Sequence, residues 1–283
     1  MNKLTFLVLG SNGTLGSNIV KYLKKKKIKF KTVARKNSNY NIDLKKFKKL
    51  EKLLLKNKFD IVINCAAIID IDKCEKSPKS TDFINCKLPK YLSNISKKFL
   101  FKLVHISTDH VYAGKFGILN TETSKIKSCN NYSRQKIKAE QSIKNNKNCL
   151  ILRVNFTSNN KNSFVDQIIK SLKRKKKIYL FSDMYTSTLD VNTCAKYIVD
   201  LSLMHSKGVY NIGSKDMVSK KEFAIRMSKF LKKKIIYETC SNEVLKTKRG
   251  KNLGLNIDKL EKKLNIKVIN TNKVITNLAK SYK

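Results

Sequence analysis

Apolar and polar positions along the chain switch between two periods. Residues 4–9 (LTFLVL) are a short apolar run that stops at Gly10, as in a strand buried on both faces. Leu15, Ile19, Val20 and Leu23 then recur at the spacing of one helix face. The exchange repeats, with strands predicted at 30–33, 60–65, 103–107 and 149–154. Between them lie a helical stripe at Leu44, Phe47, Leu50, Leu53 and Leu54 and helices over 81–97 and 132–144. Such alternation, with strands apolar on both sides, predicts a parallel sheet covered by helices on both faces. After Asn155 the pattern loosens: helices are predicted at 164–173, 191–204, 220–231 and 258–264, and strands at 178–181, 209–212 and 235–237. The fold expected is α/β, a doubly wound parallel sheet with a smaller α/β lobe. The sheet unit is placed at 1–155, and the lobe at 156–283 with segments returning to the sheet.

Composition narrows the class. The chain has 283 residues, of which 41% are hydrophobic, enough for a full core and too many for a disordered chain. No apolar run approaches the ~18 residues of a spanning helix. The formal charge is +42, from 62 Lys+Arg against 20 Asp+Glu, which by itself suggests a polyanion partner. Yet only six of the basic residues are arginine: Arg35, Arg134, Arg153, Arg174, Arg226 and Arg249. Arginine reads bases and phosphates bidentately, so no specific nucleic-acid partner is expected. The lysine runs 24–27, 173–177 and 232–234 fall at predicted helix ends or in loops, where cations oppose the helix dipole.

The seven cysteines (Cys65, Cys74, Cys86, Cys129, Cys149, Cys194 and Cys240) include no C-x-x-C pair. Free thiols in a reducing cytoplasm are expected, with neither disulfides nor a metal site. The apolar run at 4–9 is too short for a signal-peptide core, and a glycine turn follows at once.

Gly10, Gly13 and Gly16 lie between the first predicted strand and helix, in Gly10-Ser11-Asn12-Gly13-Thr14-Leu15-Gly16. Glycines there let the backbone turn tightly and approach a pyrophosphate, which the helix N-terminus attracts. Dinucleotide binding is expected. An NAD site usually has an acidic residue at the end of the second strand, but here Arg35 and Lys36 occupy it. A 2′-phosphate is thereby favoured, so NADPH is expected ahead of NADH. Tyr132 and Lys136, four apart on a predicted helix, share one face. A cation beside a phenol lowers its pKa, normally about 10, and would fit Tyr132 to donate a proton to a carbonyl. Ser107 and Thr108 end the fourth strand at the ligand-binding edge of such a sheet. Either hydroxyl is a candidate to polarise a substrate carbonyl. His105 reads as a strand residue of the core, and His110 and His205 lack metal-type partners.

These motifs occur together as GSNGTLG, NCAAIIDIDKCE, VHISTDHVYAG and NYSRQKIKAEQ, and in this set the chain resembles the extended short-chain dehydrogenase/reductase family. Within it, the resemblance is to the dTDP-4-dehydrorhamnose reductase group. The likeness continues through Asn85, Pro89, Arg153, the stretch Gly208-Val209-Tyr210-Asn211 and the segment Arg249-Gly250-Lys251-Asn252-Leu253. It implies a Rossmann-type sheet and a lobe that closes over a nucleotide sugar. It also implies a catalytic set of Thr108, Tyr132 and Lys136. Cofactor contacts are implied for the glycine turn, Arg35, Asp43, Leu44, Cys65, Ala66, Ala67, Tyr132 and Lys136. Substrate contacts are implied for Ser107, Asp109, His110, Asn155, Arg249 and Asn252.

The chain departs from the family pattern at several positions. His110 replaces an aromatic residue, and Ala113 replaces a common acidic one before Gly114. Met184 and Thr188 replace Gln and Pro, and Gly250 replaces a proline. Thr193 stands where an acidic residue usually precedes the helix. The function implied is NADPH-dependent reduction of the 4-keto group of a nucleotide-linked deoxy sugar, for cell-surface polysaccharide. An epimerase or dehydratase of the same superfamily and a non-catalytic NADP-binding subunit are the alternatives. No metal is expected, and a homodimer is the assembly considered.

Overall fold

The computed structural model describes residues 4–114 and 116–282. Its first part contains, in chain order, β1 (Thr5–Leu9), α1 (Thr14–Lys25), β2 (Lys29–Ala34), β3 (Tyr40–Asn41), α2 (Phe47–Lys56), β4 (Ile61–Asn64), α3 (Ile71–Lys76), α4 (Pro78–Asp82), a π-helical turn (Phe83–Lys87), α5 (Leu88–Lys98), β5 (Lys102–Thr108), α6 (Asn131–Ile143) and β6 (Cys149–Val154). The remainder contains β7 (Phe156–Thr157), α7 (Phe164–Arg174), β8 (Ile178–Phe181), β9 (Tyr185–Thr186), β10 (Leu189–Asp190), α8 (Val191–Leu203), β11 (Gly208–Ile212), β12 (Val218–Ser219), α9 (Lys220–Phe230), β13 (Tyr237–Cys240), β14 (Asn252–Leu253), α10 (Asp258–Leu264) and α11 (Thr271–Ala279).

Seven strands form one sheet in the order β11-β6-β5-β4-β1-β2-β3, and every neighbouring pair is parallel. Alternate residues serve two cores, which explains why the strands read as continuous apolar runs. Phe6, Val8, Ile61, Ile63, Val104, Ile106, Leu150 and Leu152 face one core, shared with Leu15, Ile19 and Leu23 of α1 and with α8. Leu7, Leu9, Val62, Leu103 and Ile151 face the other, with Leu50, Leu53 and Leu54 of α2 and Leu88, Leu92 and Ile95 of α5. The fold is a Rossmann-like α/β fold. Strand order reverses between β1 and β4, and such a reversal opens a crevice beyond the C-terminal strand ends.

Beyond β6 the chain builds three small sheets, β10-β7, β12-β9-β14 and β13-β8, and returns to the large one through β11. Two sequence expectations are corrected here. The strand expected at 235–237 lies at Tyr237–Cys240, a mostly exposed segment paired with β8 and lacking an apolar run. The helix expected over 81–97 is α4, the π turn and α5 in succession. No helix among the described residues is long and apolar enough to cross a membrane.

Candidate active site

Gly10, Gly13 and Gly16 do different work. Gly10 has φ +74, and a Cβ on it would lie 2.9 Å from the Ala66 backbone. A Cβ on Gly16 would lie 2.3 Å from Gly10 O, so these two glycines permit close packing. Gly13 caps α1 with an ordinary φ of −70 and no side-chain hydrogen bond, and the first turn holds no acidic residue. A Cβ there would meet only Gly10 O, at 3.4 Å. The first N–H groups of α1 therefore border open space, and the turn fits a pyrophosphate. Around it, Asn12 Nδ2 donates to Lys36 O at 2.7 Å and Ser11 is buried against β2. Thr14 Oγ1 accepts from Asn160 of the lobe, and Leu15 is a core residue under the turn. Arg35 is exposed just past β2, and Asp43 is exposed beyond β3.

The loop after β4 lies against Gly10, with Cys65, Ala66 and Ala67 half-buried. Burial pushes the Cys65 thiol up to about 12, so it stays neutral. Asn64 Oδ1 accepts the Ala66 N–H at 3.2 Å. Asn85, from the π turn, accepts from Ile68 N at 2.8 Å and donates to Ile68 O at 3.0 Å. It also donates to Gln135 of α6 at 2.8 Å, tying the loop to the helix that carries Tyr132.

Helix α6 begins with a capping box between Asn130 and Ser133, and Glu75 accepts from the backbone and side chain of Asn131. Tyr132 is 7% exposed and Lys136 1%. The Tyr132 ring meets His110 edge-on at 6.1 Å. Burial raises the phenol above its ordinary range, and the neighbouring Thr108 hydroxyl opposes this only in part. The expectation of a phenol lowered by Lys136 is thus corrected. Lys136 Nζ instead donates to Ile106 O at 2.6 Å and lies 3.1 Å from His105 Nε2. Burial lowers its ammonium to about 8, with Glu140 pulling the other way. Asn64 Nδ2 meets the other ring nitrogen of His105 at 3.3 Å. Burial, and secondarily Lys136, keep His105 neutral by holding its pKa well below the ordinary value.

A chain of polar groups joins this set to the lobe. Thr108 Oγ1 accepts from His110 N at 3.2 Å and donates to Asp109 Oδ1 at 3.1 Å. Asn155 Nδ2 donates to Asp109 Oδ2, and Thr188 donates to Asn155 Oδ1 at 2.6 Å. Next to it is a cavity of about 290 Å3, whose lining includes His110, Asn155, Met184, Thr188, Lys220 and Arg249. Arg249 reaches it on a loop where Thr247 donates to Asp72, Asn130 to Lys248 O and Asn242 to Arg249 O.

The family model described as the RmlD substrate binding domain matches residues 4–283. The chain belongs to this family. It is 25% identical over 231 residues to the probable low-salt glycan biosynthesis reductase Agl14 of Haloferax volcanii, covering 76% of each chain. It is 27% identical over 225 residues to the spore coat polysaccharide biosynthesis protein SpsK of Bacillus subtilis, covering 77% of this chain and 76% of that one. In fold it superposes with a TM-score of 0.90 on a dTDP-4-dehydrorhamnose reductase from Bacillus anthracis solved in complex with NADP. That match covers 99% of both chains at 22% identity.

In this RmlD-family chain several residues expected at the site have partners within the protein. Ser107 is 4% exposed and donates to Glu140, itself bridged to Arg153. Strand alternation turns it toward α6, on the same side as His105. Asn252 is buried in β14, where it donates to Ile118 O and accepts from Gly254 N, so its side chain clamps the lobe. The Leu44 side chain belongs to the core under α2. The acidic residue missed at Thr193 is Asp190, which caps α8 and bonds both the Thr193 N–H and its hydroxyl. Sequence reasoning assigned no role to Lys220 or to the Asn85 clamp. A lysine has no distinguishing signal in a chain so rich in them, and Asn85 needs the π turn to aim it.

Proposed function

We propose that the chain is an NADPH-dependent reductase acting on the 4-keto group of a nucleotide-linked deoxy sugar. One observation carries the reading: the Thr108 hydroxyl neighbours the buried Tyr132 phenol, one helical turn from Lys136, on a helix that Asn85 ties to the loop packed against the glycine turn. NADPH, when bound, supplies the hydride. Gly13 and the first N–H groups of α1 receive its pyrophosphate, and Arg35 its 2′-phosphate. Asp43, Cys65, Ala66 and Ala67 flank the remaining length.

The Tyr132 phenol is kept neutral by burial, which is the form that donates a proton to a carbonyl oxygen as it turns into an alkoxide. Thr108, held between His110 N and Asp109, orients that carbonyl. Lys136, fixed by Ile106 O, presents its remaining protons to the nicotinamide ribose. His110, Asn155 and Arg249 contact the substrate. Both Asp109 oxygens are already taken by Thr108 and Asn155, which disfavours the elimination step of a dehydratase. Retention of Tyr132 and Lys136 together disfavours a non-catalytic subunit.

The names of the glycan and spore coat relatives support a role in preparing activated sugars for surface polysaccharide. Seven free cysteines suit a reducing cytoplasm. The test is to supply NADPH and dTDP-4-dehydro-6-deoxyhexose and identify the product. NADPH consumption with formation of the 4-hydroxy sugar is expected. Tight NADPH binding with no turnover across a panel of keto-sugar nucleotides would overturn the assignment.

A further inference from the structure

Lys220 is the first residue of α9, and its backbone N–H donates to Met184 O at 3.0 Å. Its ammonium lies 5.1 Å from the centroid of the Phe164 ring and lines the cavity beside His110. Arg249 lines the same cavity from the loop before β14. Neither cation forms a salt bridge among the described residues. Arg249 Nε and His110 Nδ1 are buried without a hydrogen-bond partner. The carboxylate at hand, Asp109, has its two oxygens engaged by Thr108 and Asn155.

Burial and the Arg249 charge lower the Lys220 ammonium. His110 is lowered by burial and by both cations, against the pull of Asp109. Two cations held near one another in a cavity without a bonded counter-ion are costly. Three nitrogen-bearing side chains from separate segments thus line one cavity.

We propose that Lys220 and Arg249, with His110 beside them, form an oxyanion subsite for the substrate, and that Lys220 is a binding residue of this reductase. The proposal rests on the reading of the substrate as a nucleotide-linked sugar. A diphosphate and a carboxylate on the sugar present the same chemistry to this subsite, and they are separated by the choice of probe.

The experiment compares wild type with Lys220→Met, Lys220→Arg and Arg249→Met by calorimetry. The probes are dTDP, dTDP-glucose and dTDP-glucuronate, with NADPH binding and thermal melting as controls. In Lys220→Met and Arg249→Met the dissociation constant is expected to rise roughly 10- to 100-fold, the loss of one charge-assisted bond. NADPH affinity stays at the wild-type value, and Lys220→Arg regains most of the lost affinity. A rise for all three probes places the diphosphate on Lys220, whereas a rise for dTDP-glucuronate alone places a sugar carboxylate there. Equal affinities in wild type and Lys220→Met overturn the subsite. A wild type that binds NADPH but none of the three nucleotides overturns the substrate reading on which it rests.

Discussion

Lys136 Nζ lies 3.1 Å from Nε2 of His105, a residue 31 positions earlier in the chain, and is 1% exposed. Lys136 is therefore anchored from the sheet, by the ring of His105 and the carbonyl of Ile106. Its ammonium, lowered to about 8 by burial, loses its proton far below the point at which Tyr132 ionises. We expect kcat/KM to fall above pH 8, with Lys136 and not Tyr132 setting the alkaline limb. Lys136→Arg, whose charge persists, should move that limb upward if it turns over at all. A limb unmoved by this change would assign it to another group.

The same burial makes a stability prediction. The folded pKa of Lys136 lies below its ordinary 10.5. Between about 8 and 10.5 the unfolded chain holds a proton that the folded chain lacks, so stability rises with pH across that window. Below about 8 the penalty is fully present, at ~3 kcal/mol. Lys136→Met removes it while losing a hydrogen bond worth ~1 kcal/mol. The variant should melt higher than wild type at pH 7 and lose the pH-dependent rise, while turnover disappears. Denaturant titrations at pH 7 and 10 check both signs.

Gly13 and Gly16 should respond differently to alanine. Gly16→Ala drives a Cβ to 2.3 Å from Gly10 O and should destabilise the protein by roughly 1–3 kcal/mol, as overpacking does. Gly13→Ala has an allowed φ and an open flank. It should melt within ~0.5 kcal/mol of wild type yet bind NADPH more weakly, because the methyl enters the space in which we propose the pyrophosphate binds. Melting and cofactor titration of the two variants separate these effects.

The large sheet was readable because β1, β4, β5 and β6 are buried on both faces, so their runs are mostly apolar, with His105 and Arg153 buried among them. The glycine turn was readable because the close packing of Gly10 and Gly16 depends on local spacing. What escaped depends on packing between distant segments. Ser107 and Thr108 are adjacent hydroxyls, and only the position of α6 decides which one faces the site. His105 looks like a core residue until the fold brings Lys136 to it. In the lobe, β9, β12 and β14 are two residues each, too short to show any period.

Arg35 stands exposed at the end of β2, where the reading places the 2′-phosphate. Arg35→Glu should weaken NADPH binding roughly 10- to 100-fold, as expected for one lost charged contact, and leave NADH binding little changed. Dissociation constants for the two cofactors, measured in wild type and variant, give the ratio directly. An unchanged ratio would place the 2′-phosphate elsewhere.

The central claim is that the buried, neutral phenol of Tyr132 protonates the substrate carbonyl. Its most direct measurement is single-turnover NADPH oxidation by Tyr132→Phe with dTDP-4-dehydro-6-deoxyhexose, alongside NADPH binding by the same variant. The account predicts a rate reduced by about 100-fold or more, with NADPH affinity and melting temperature close to wild type. A variant that reduces the sugar at the wild-type rate would contradict it.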